Sequence, residues 1–270
     1  MSTRPGFAIR RGQGLPLIFL HGFGVDHRIF IELDQVFDRI GGFERIYLDQ
    51  PGFGRTPPDP GVENPADLAS WVDDQVDIFS QGGPFALVGN SMGGLMARHA
   101  AASRLSRCLG MAFLAPVVHP DRTRRTLPPR QVLTRDDQAL AAVDESTRSA
   151  YQEMAVVESR EHLEAFVRTV LPGIRAADPD TVARLSGAYE LDTDFDQVWS
   201  TFISPTLFIC GRQDERVGYR DQFDLVERFP RGSYAVLNRA GHNLQLEQPE
   251  VVATLLEGWA RQVLADMALS

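Results

Sequence analysis

The stretch Phe85-Ala86-Leu87-Val88-Gly89-Asn90-Ser91-Met92-Gly93-Gly94 decides the fold. Four apolar residues run without a break into Gly-Asn-Ser-Met-Gly, and an Ala-rich segment from Met92 to Ser103 follows. An unbroken apolar run bounded by glycine reads as a strand buried on both faces. The Ala-rich segment reads as a helix. Between the two the chain must reverse sharply, and G-x-S-x-G suits that reversal. The serine backbone is strained so that its hydroxyl points out of the turn. Glycines two places before and two after remove Cβ atoms that would collide, and Gly94 adds a small residue where the helix packs closely. The helix then aims its first N–H groups at whatever reacts with Ser91. Without that context the pattern is only a tight turn carrying an idle serine. The strand before it and the helix after it give it chemical meaning.

Five more short apolar runs surround this one: Leu15 to Leu20, Phe43 to Leu48, Gly110 to Val118, Pro205 to Cys210 and Tyr234 to Leu237. Each is bounded by Gly, Pro or Asn and reads as a central parallel strand. Helical segments lie between them. Pro65 to Phe79 carries Leu68, Val72, Val76 and Phe79 as one apolar stripe, with Asn64 as N-cap before a proline at the first helical position. Pro249 to Leu264 carries Val252, Leu255, Leu256, Trp259 and Val263 on one face. This alternation predicts an α/β fold with a mainly parallel sheet and helices on both sides. Residues 119–203 break the pattern. They show no convincing strand, several helical stretches and a Pro/Arg-rich entry from Pro120 to Pro129. The segment is too long for a simple connection. It predicts a helical insertion over the sheet edge, dividing a core of residues 1–118 and 204–270 from a cap of residues 119–203.

Composition removes several classes of function. At 43% hydrophobic and 23% charged, the chain is globular rather than disordered. Its net charge of −9 disfavours nucleic acid as a partner. No apolar run is long enough to span a bilayer, and the N-terminal Met-Ser-Thr-Arg-Pro-Gly does not read as a signal peptide. Cys108 and Cys210 are too few for a disulfide scaffold or a cysteine-based metal site. Both lie in apolar runs and read as buried free thiols, which suits a reducing, cytoplasmic setting.

A serine hydroxyl needs a base. Of the six histidines, His242 follows the last apolar run and precedes the C-terminal helix, on a loop at a strand's C-terminal end. His99 lies two turns into the helix after Ser91, His162 lies among charges in the insertion, His119 begins that insertion, and His27 follows the first loop. The order nucleophile, acid, base expected for this turn favours His242 as base and Asp214, in Gly211-Arg212-Gln213-Asp214, as the carboxylate that orients it. Asp121, past the fourth run, is the alternative acid. Acyl transfer also needs fixed donors for a developing oxyanion. The backbone N–H of Met92 is one candidate. The N–H of Phe23, in His21-Gly22-Phe23-Gly24, is the other, with the His21 side chain shaping the loop. Asp49, before Pro51-Gly52, reads as a residue that shapes a turn.

With these residues placed, the chain resembles the α/β-hydrolase superfamily over nearly its full length. The resemblance rests on His21-Gly22-Phe23-Gly24, Asp49-Gln50-Pro51-Gly52-Phe53-Gly54, Gly89-Asn90-Ser91-Met92-Gly93-Gly94, Gly211-Arg212-Gln213-Asp214 and Gly241-His242 followed by Glu247-Gln248-Pro249. It implies an eight-stranded sheet whose second strand is antiparallel, a helical cap inserted after strand six, and a triad of Ser91, Asp214 and His242. The elbow Gly-Asn-Ser-Met-Gly-Gly and the Pro-Gly-Phe-Gly turn are similar to those of the meta-cleavage-product hydrolases, which break carbon–carbon bonds. The chain departs from that family in the loop after His21-Gly22 and in Asn243, which stands where an aromatic follows the base. Those departures favour a carboxylesterase or lactonase. Serine at position 91 disfavours dehalogenases and epoxide hydrolases, and Met92 stands where a proline iminopeptidase would show Trp.

The sequence therefore predicts a serine hydrolase with no cofactor and no metal, acting on a small ester or lactone, with Phe23, Met92, Phe166 and Trp199 as substrate contacts. Carbon–carbon hydrolysis, acyl transfer or perhydrolysis by the same triad, and a ligand-binding receptor on the same scaffold are the other readings. The partner expected is a small molecule, not nucleic acid or membrane. Periodicity says nothing of oligomeric state.

Overall fold

The computed structural model describes residues 5–187 and 191–269. Among them run the strands β1 (Ala8–Gly12), β2 (Leu15–Leu20), β3 (Phe43–Leu48), β4 (Phe85–Asn90), β5 (Cys108–Leu114), β6 (Thr134–Arg135), β7 (Val157–Glu158), β8 (Thr206–Gly211) and β9 (Gly232–Leu237). The helices are α1 (Asp34–Ile40), α2 (Pro65–Ser80), α3 (Met92–Ala102), α4 (Asp137–Ala141), α5 (Glu145–Gln152), α6 (Arg160–Thr169), α7 (Leu171–Ala176), α8 (Pro179–Gly187), α9 (Arg220–Val226), α10 (Leu244–Glu247) and α11 (Pro249–Met267). Seven strands form one sheet in the order β1-β3-β2-β4-β5-β8-β9. All neighbours are parallel except β1, which runs antiparallel to β3.

All six apolar runs are strands of this sheet, and β4 and β8 are buried at every position. Helix α2 buries the expected stripe of Leu68, Val72, Val76 and Phe79, and the Asn64 side chain accepts from the N–H groups of Ala66 and Asp67. Helix α11 buries Val252, Leu256, Trp259 and Val263, and the Trp259 indole donates to the Pro205 carbonyl at 3.0 Å.

Four sequence expectations need correction. The sheet has seven strands among the described residues, not eight, and its antiparallel strand is the first one, on the edge. Ahead of β1 the backbone N–H groups of Gly6 and Phe7 donate to the side chains of Gln75 and Thr56, not to another strand. Strand β1 itself, Ala-Ile-Arg-Arg-Gly, is charged and half-exposed, so it lacks the continuous apolar signal of the others. The long insertion consequently follows the fifth strand of the main sheet. It also holds a two-residue parallel pair, β6 and β7, too short to leave a period in the sequence.

Strand order reverses at β2: β3 and β1 lie to one side, β4 and its followers to the other. A sheet that turns in both directions from one strand leaves a crevice at the C-terminal ends of the strands flanking the switch. The loops after β2 and β4 meet there. Residues of the segment 119–203 touch loops at this end. The Asp178 N–H donates to the Gly52 carbonyl past β3, and a Cβ on Gly173 would press to 2.7 Å on Asp26 past β2.

Helix α3 is anchored at its far end by Arg104, which binds Asp73 and Asp77 of α2. The Arg104 guanidinium, with that of Arg107, holds the Asp77 carboxyl at about 2, below its ordinary 3.8. A carboxyl depressed in the folded state contributes stability above its unfolded value and loses it as pH falls through the folded one. Asp77 is half-exposed, so the contribution is small. Asp77→Asn should lower the melting temperature near neutral pH by about 1–2 °C, with the gap from wild type closing as pH falls from 3.8 toward about 2. Calorimetry across that range checks it.

Candidate active site

Ser91 sits between β4 and α3 with φ +52° and ψ −118°, outside the regions open to most side chains. Its neighbours explain how the turn is built. A Cβ on Gly93 would lie 1.9 Å from the Leu20 carbonyl oxygen, and one on Gly89 would lie 2.6 Å from the Gly93 carbonyl oxygen. A Cβ on Gly94 would press to 2.7 Å on Pro116. Backbone bonds lock the turn from the β5 side: Ser91 N–H donates to the Leu114 carbonyl, and Val117 N–H donates to the Ser91 carbonyl, both at 3.0 Å. The Asn90 amide donates to the same Leu114 carbonyl at 3.1 Å. The strained residue is therefore held by hydrogen bonds on either side of it.

His242 reaches the turn from the loop after β9. The Ser91 hydroxyl donates to His242 Nε2 at 3.0 Å, and His242 Nδ1–H donates to Asp214 Oδ2 at 2.9 Å. An ionised carboxylate only accepts, so Asp214 sets the tautomer and leaves Nε2 free to receive a proton. Asp214 is fully buried, and its other oxygen accepts from the N–H groups of Arg216 at 2.8 Å and Val217 at 3.1 Å. Both carboxylate oxygens are thus engaged, as a buried charge requires. The loops of Asp214 and His242 are laced together by Gln213, whose N–H donates to the Ala240 carbonyl and whose side-chain oxygen accepts from the Ala240 N–H. Gly211 permits this approach, since a Cβ there would lie 2.3 Å from the Gly241 carbonyl oxygen. Asp121 is remote from this arrangement in role: it is exposed and caps a short turn through Thr123.

The loop after β2 closes the third side. A Cβ on Gly22 would meet Asn90 Oδ1 at 2.7 Å and the Ser91 Cβ at 3.0 Å. His21 is fully buried, and burial pushes its imidazole below the ordinary value. Its Nδ1–H donates to the Gly22 carbonyl at 2.8 Å, and Nε2 accepts from the Gln50 N–H at 3.0 Å. The ring is a neutral brace between two loops. Met92 opens α3, and Phe23 lies half-buried against Phe53, ring centroids 5.8 Å apart.

The other expected positions fall elsewhere. Met92's side chain is fully buried in the core. Trp199 stacks on Phe229 at 4.9 Å and donates its indole N–H to Asp196 at 2.6 Å, while Asp196 pairs with the buried Arg98. Phe166 is fully buried against Tyr151 at 5.4 Å. These are packing positions, so of the four expected substrate contacts only Phe23 is partly exposed. His162, expected among solvent, bonds the Val157 carbonyl, and His27 is buried on Asp49.

Asp26, His27 and Asp49 form the one close group of possible metal ligands among the described residues. Every carboxylate in it already has donors. Asp49 accepts from the N–H and Nδ1–H of His27 and from the Arg55 N–H, and Asp26 accepts from Arg28. Burial raises the Asp49 carboxyl, but these bonds outweigh it and hold it below the ordinary value. The group braces a loop, as the Pro-Gly turn predicts for Asp49. Sequence reasoning noted Glu247 only as part of Glu247-Gln248-Pro249 and gave it no role. It is buried, and its carboxylate accepts from Gly241 N–H at 2.6 Å, Val156 N–H at 2.7 Å and Val157 N–H at 3.0 Å. An acidic residue amid the apolar Leu244 and Leu246 was the available signal.

Residues 16–249 match the family described as alpha/beta hydrolase fold, and the chain belongs to it. Among curated relatives it is 24% identical over 255 residues to a pimeloyl-[acyl-carrier protein] methyl ester esterase of Legionella pneumophila (strain Lens), covering 92% of this chain and 96% of the relative. It is 22% identical to the (E)-2-((N-methylformamido)methylene)succinate hydrolase of Acinetobacter baylyi, covering 96% and 95%. An alpha/beta superfamily hydrolase from Oenococcus oeni PSU-1 superposes with a TM-score of 0.86 at 23% identity over 95% of each chain. A thermophilic esterase from Thermogutta terrifontis does so with a TM-score of 0.70 at 22% identity, covering 95% of this chain and 93% of that one. These superpositions carry the fold. No helix among the described residues is long and apolar enough to cross a membrane.

Three substitutions test the turn. Gly93→Ala places a methyl on the Leu20 carbonyl and should destabilise by about 3 kcal/mol or more. Ser91→Gly removes the left-handed strain that Ser91→Ala retains, so it should be the more stable of the two by about 1 kcal/mol. Denaturant melts of the two position-91 variants decide it.

Proposed function

We propose that the chain hydrolyses a small carboxylic ester or lactone through an acyl-enzyme on Ser91. The observation that carries this reading is the continuous relay from Ser91 Oγ through His242 to Asp214, with both bonds at 3.0 Å or less. His242 Nε2 takes the Ser91 proton as Oγ attacks the carbonyl carbon. The N–H groups of Met92 and Phe23 receive the oxyanion, aided by the N-terminal end of α3. Protonated His242 gives its proton to the leaving oxygen, then draws one from water to release the acid and restore Ser91. Asp214 stabilises the imidazolium throughout and is not itself protonated. Esterase names among the relatives support ester cleavage over the other acyl chemistries. Residues 119–203 act in this reading as a cap over the crevice, and the substrate is small and weakly polar. Cys108 and Cys210 are free and buried, with burial pushing the Cys108 thiol up to about 12, which suits a cytoplasmic setting.

A fluorophosphonate probe should label Ser91 in the wild type and leave Ser91→Ala unlabelled. On p-nitrophenyl butyrate, Ser91→Ala and His242→Ala should each lower kcat by about 10⁴-fold or more, and Asp214→Asn by about 10³–10⁴-fold. The double variant should be little worse than either single one, because the groups act as a unit. A panel of esters, lactones and coloured dienoates, with water against alcohol or peroxide as acceptor, separates ester hydrolysis from carbon–carbon cleavage and acyl transfer. Equal turnover by wild type and Ser91→Ala would sink the assignment.

A further inference from the structure

His242 is held in place by more than Asp214. Its loop packs directly against the cap segment formed by residues 152–157: a Cβ on Gly241 would strike Val156 Cγ2 at 2.6 Å. Glu247, five residues past the base, joins the two. Oε2 accepts from the Gly241 N–H, the peptide beside His242, and Oε1 accepts from the successive N–H groups of Val156 and Val157. A carboxylate suits this task because both oxygens only accept. A glutamine would offer one acceptor and turn an NH₂ against backbone donors. Glu247 is 6% exposed. Burial pushes its carboxyl above the ordinary value, and the three backbone donors oppose that push. A buried charge is retained against its desolvation only where such donors meet it.

The same cap segment is tied to the acid's loop. Arg216 binds Glu153 at 2.6 Å, and Arg130 binds the Glu153 carbonyl, the Gln152 carbonyl and Glu215. These ties are exposed and individually weak. Glu247 is the buried one. Arg130, Met154, Val156, Gln213, Arg216 and His242 line one crevice between this cap segment and the loop of the base.

We infer that Glu247 is a positioning residue through which cap residues 152–157 hold His242 against Ser91, coupling the setting of the cap to the reactivity of the nucleophile. The inference rests on the reading of His242 as the base. Displacing a reacting group by about 1 Å costs about 100-fold in rate, so loosening the loop acts on the chemical step. Substrate affinity is affected much less.

The test is Glu247→Gln, followed by three readouts: the rate of Ser91 phosphonylation by a fluorophosphonate, kcat and KM on p-nitrophenyl butyrate, and amide hydrogen exchange. Phosphonylation and kcat should fall by about 10–100-fold while KM stays within about twofold. The amides of Gly241, Val156 and Val157 should exchange faster together. Phosphonylation and kcat within twofold of wild type, with those amides deprotected, overturn the inference, as does a fall in rate with their exchange unchanged. Should Glu247→Gln fail to fold, the wild type gives the answer by reciprocity between coupled sites. Phosphonylating Ser91 should slow exchange at Val156 and Val157 and leave β1 amides unchanged; no change at Val156 and Val157 overturns the coupling. A wild type that is not phosphonylated at Ser91 removes the functional reading first, and the inference with it.

Discussion

Where β4 gives way to α3, the backbone at Gly93 runs so close to the Leu20 carbonyl that no Cβ fits between them. That contact sets the whole site. It forces the helix to start against the end of β2, which leaves Ser91 the only residue available to take up the reversal and places it in a conformation unfavourable to a side chain. The strain is of order 1–3 kcal/mol, and hydrogen bonds to Leu114 and from Val117 hold the residue there. Because β2 and β4 flank the point where strand order reverses, the same contact brings the loop after β2 beside Ser91.

Asp214 and His242 arrive by a similar logic. Parallel strands deliver their C-terminal loops to one rim, so residues 91, 214 and 242, distant in the chain, need only loops of the right length to meet. Gly211 lets the β8 end approach the base loop to van der Waals contact. Gln213 then ties the two loops through its N–H and its side-chain oxygen, both bonded to Ala240. Three imidazoles near the rim have a proton position set by an acceptor-only or backbone partner. His21 lies between the Gly22 carbonyl and the Gln50 N–H, His27 bonds Asp49, and His242 bonds Asp214. Of these rings, only His242 turns its second nitrogen to a hydroxyl.

Much of this was legible because parallel strands inside a sheet are largely apolar, a demand strong enough to mark the five interior strands; the sixth run became β9, which lies on the edge and is half-exposed, not central as the sequence suggests. The G-x-S-x-G turn was legible for a steric reason: its glycines answer particular close contacts. Strand β1 was not, since an edge strand needs neither a buried face nor an apolar run, and Arg10 and Arg11 occupy it. The eighth strand came from resemblance alone, and the backbone ahead of β1 bonds side chains instead. Substrate contacts were the least legible part. An aromatic at a helical position carries the same sequence signal whether it faces a ligand or a core, and Trp199 and Phe166 took the core.

Glu247 shows why a positioning group escapes sequence reading when a nucleophile does not. A nucleophile must sit in a turn with its own steric signature. A buried carboxylate that binds three backbone N–H groups needs only to be within reach of them, and backbone donors leave no trace in residue identity. Three of the buried carboxylates near the rim share one feature all the same. Asp214, Asp49 and Glu247 each accept from two or more backbone N–H groups. Fixed peptide donors satisfy a buried charge without bringing in a second ion that would compete for the base. The site can therefore hold several buried carboxylates while leaving one imidazole nitrogen open to the serine.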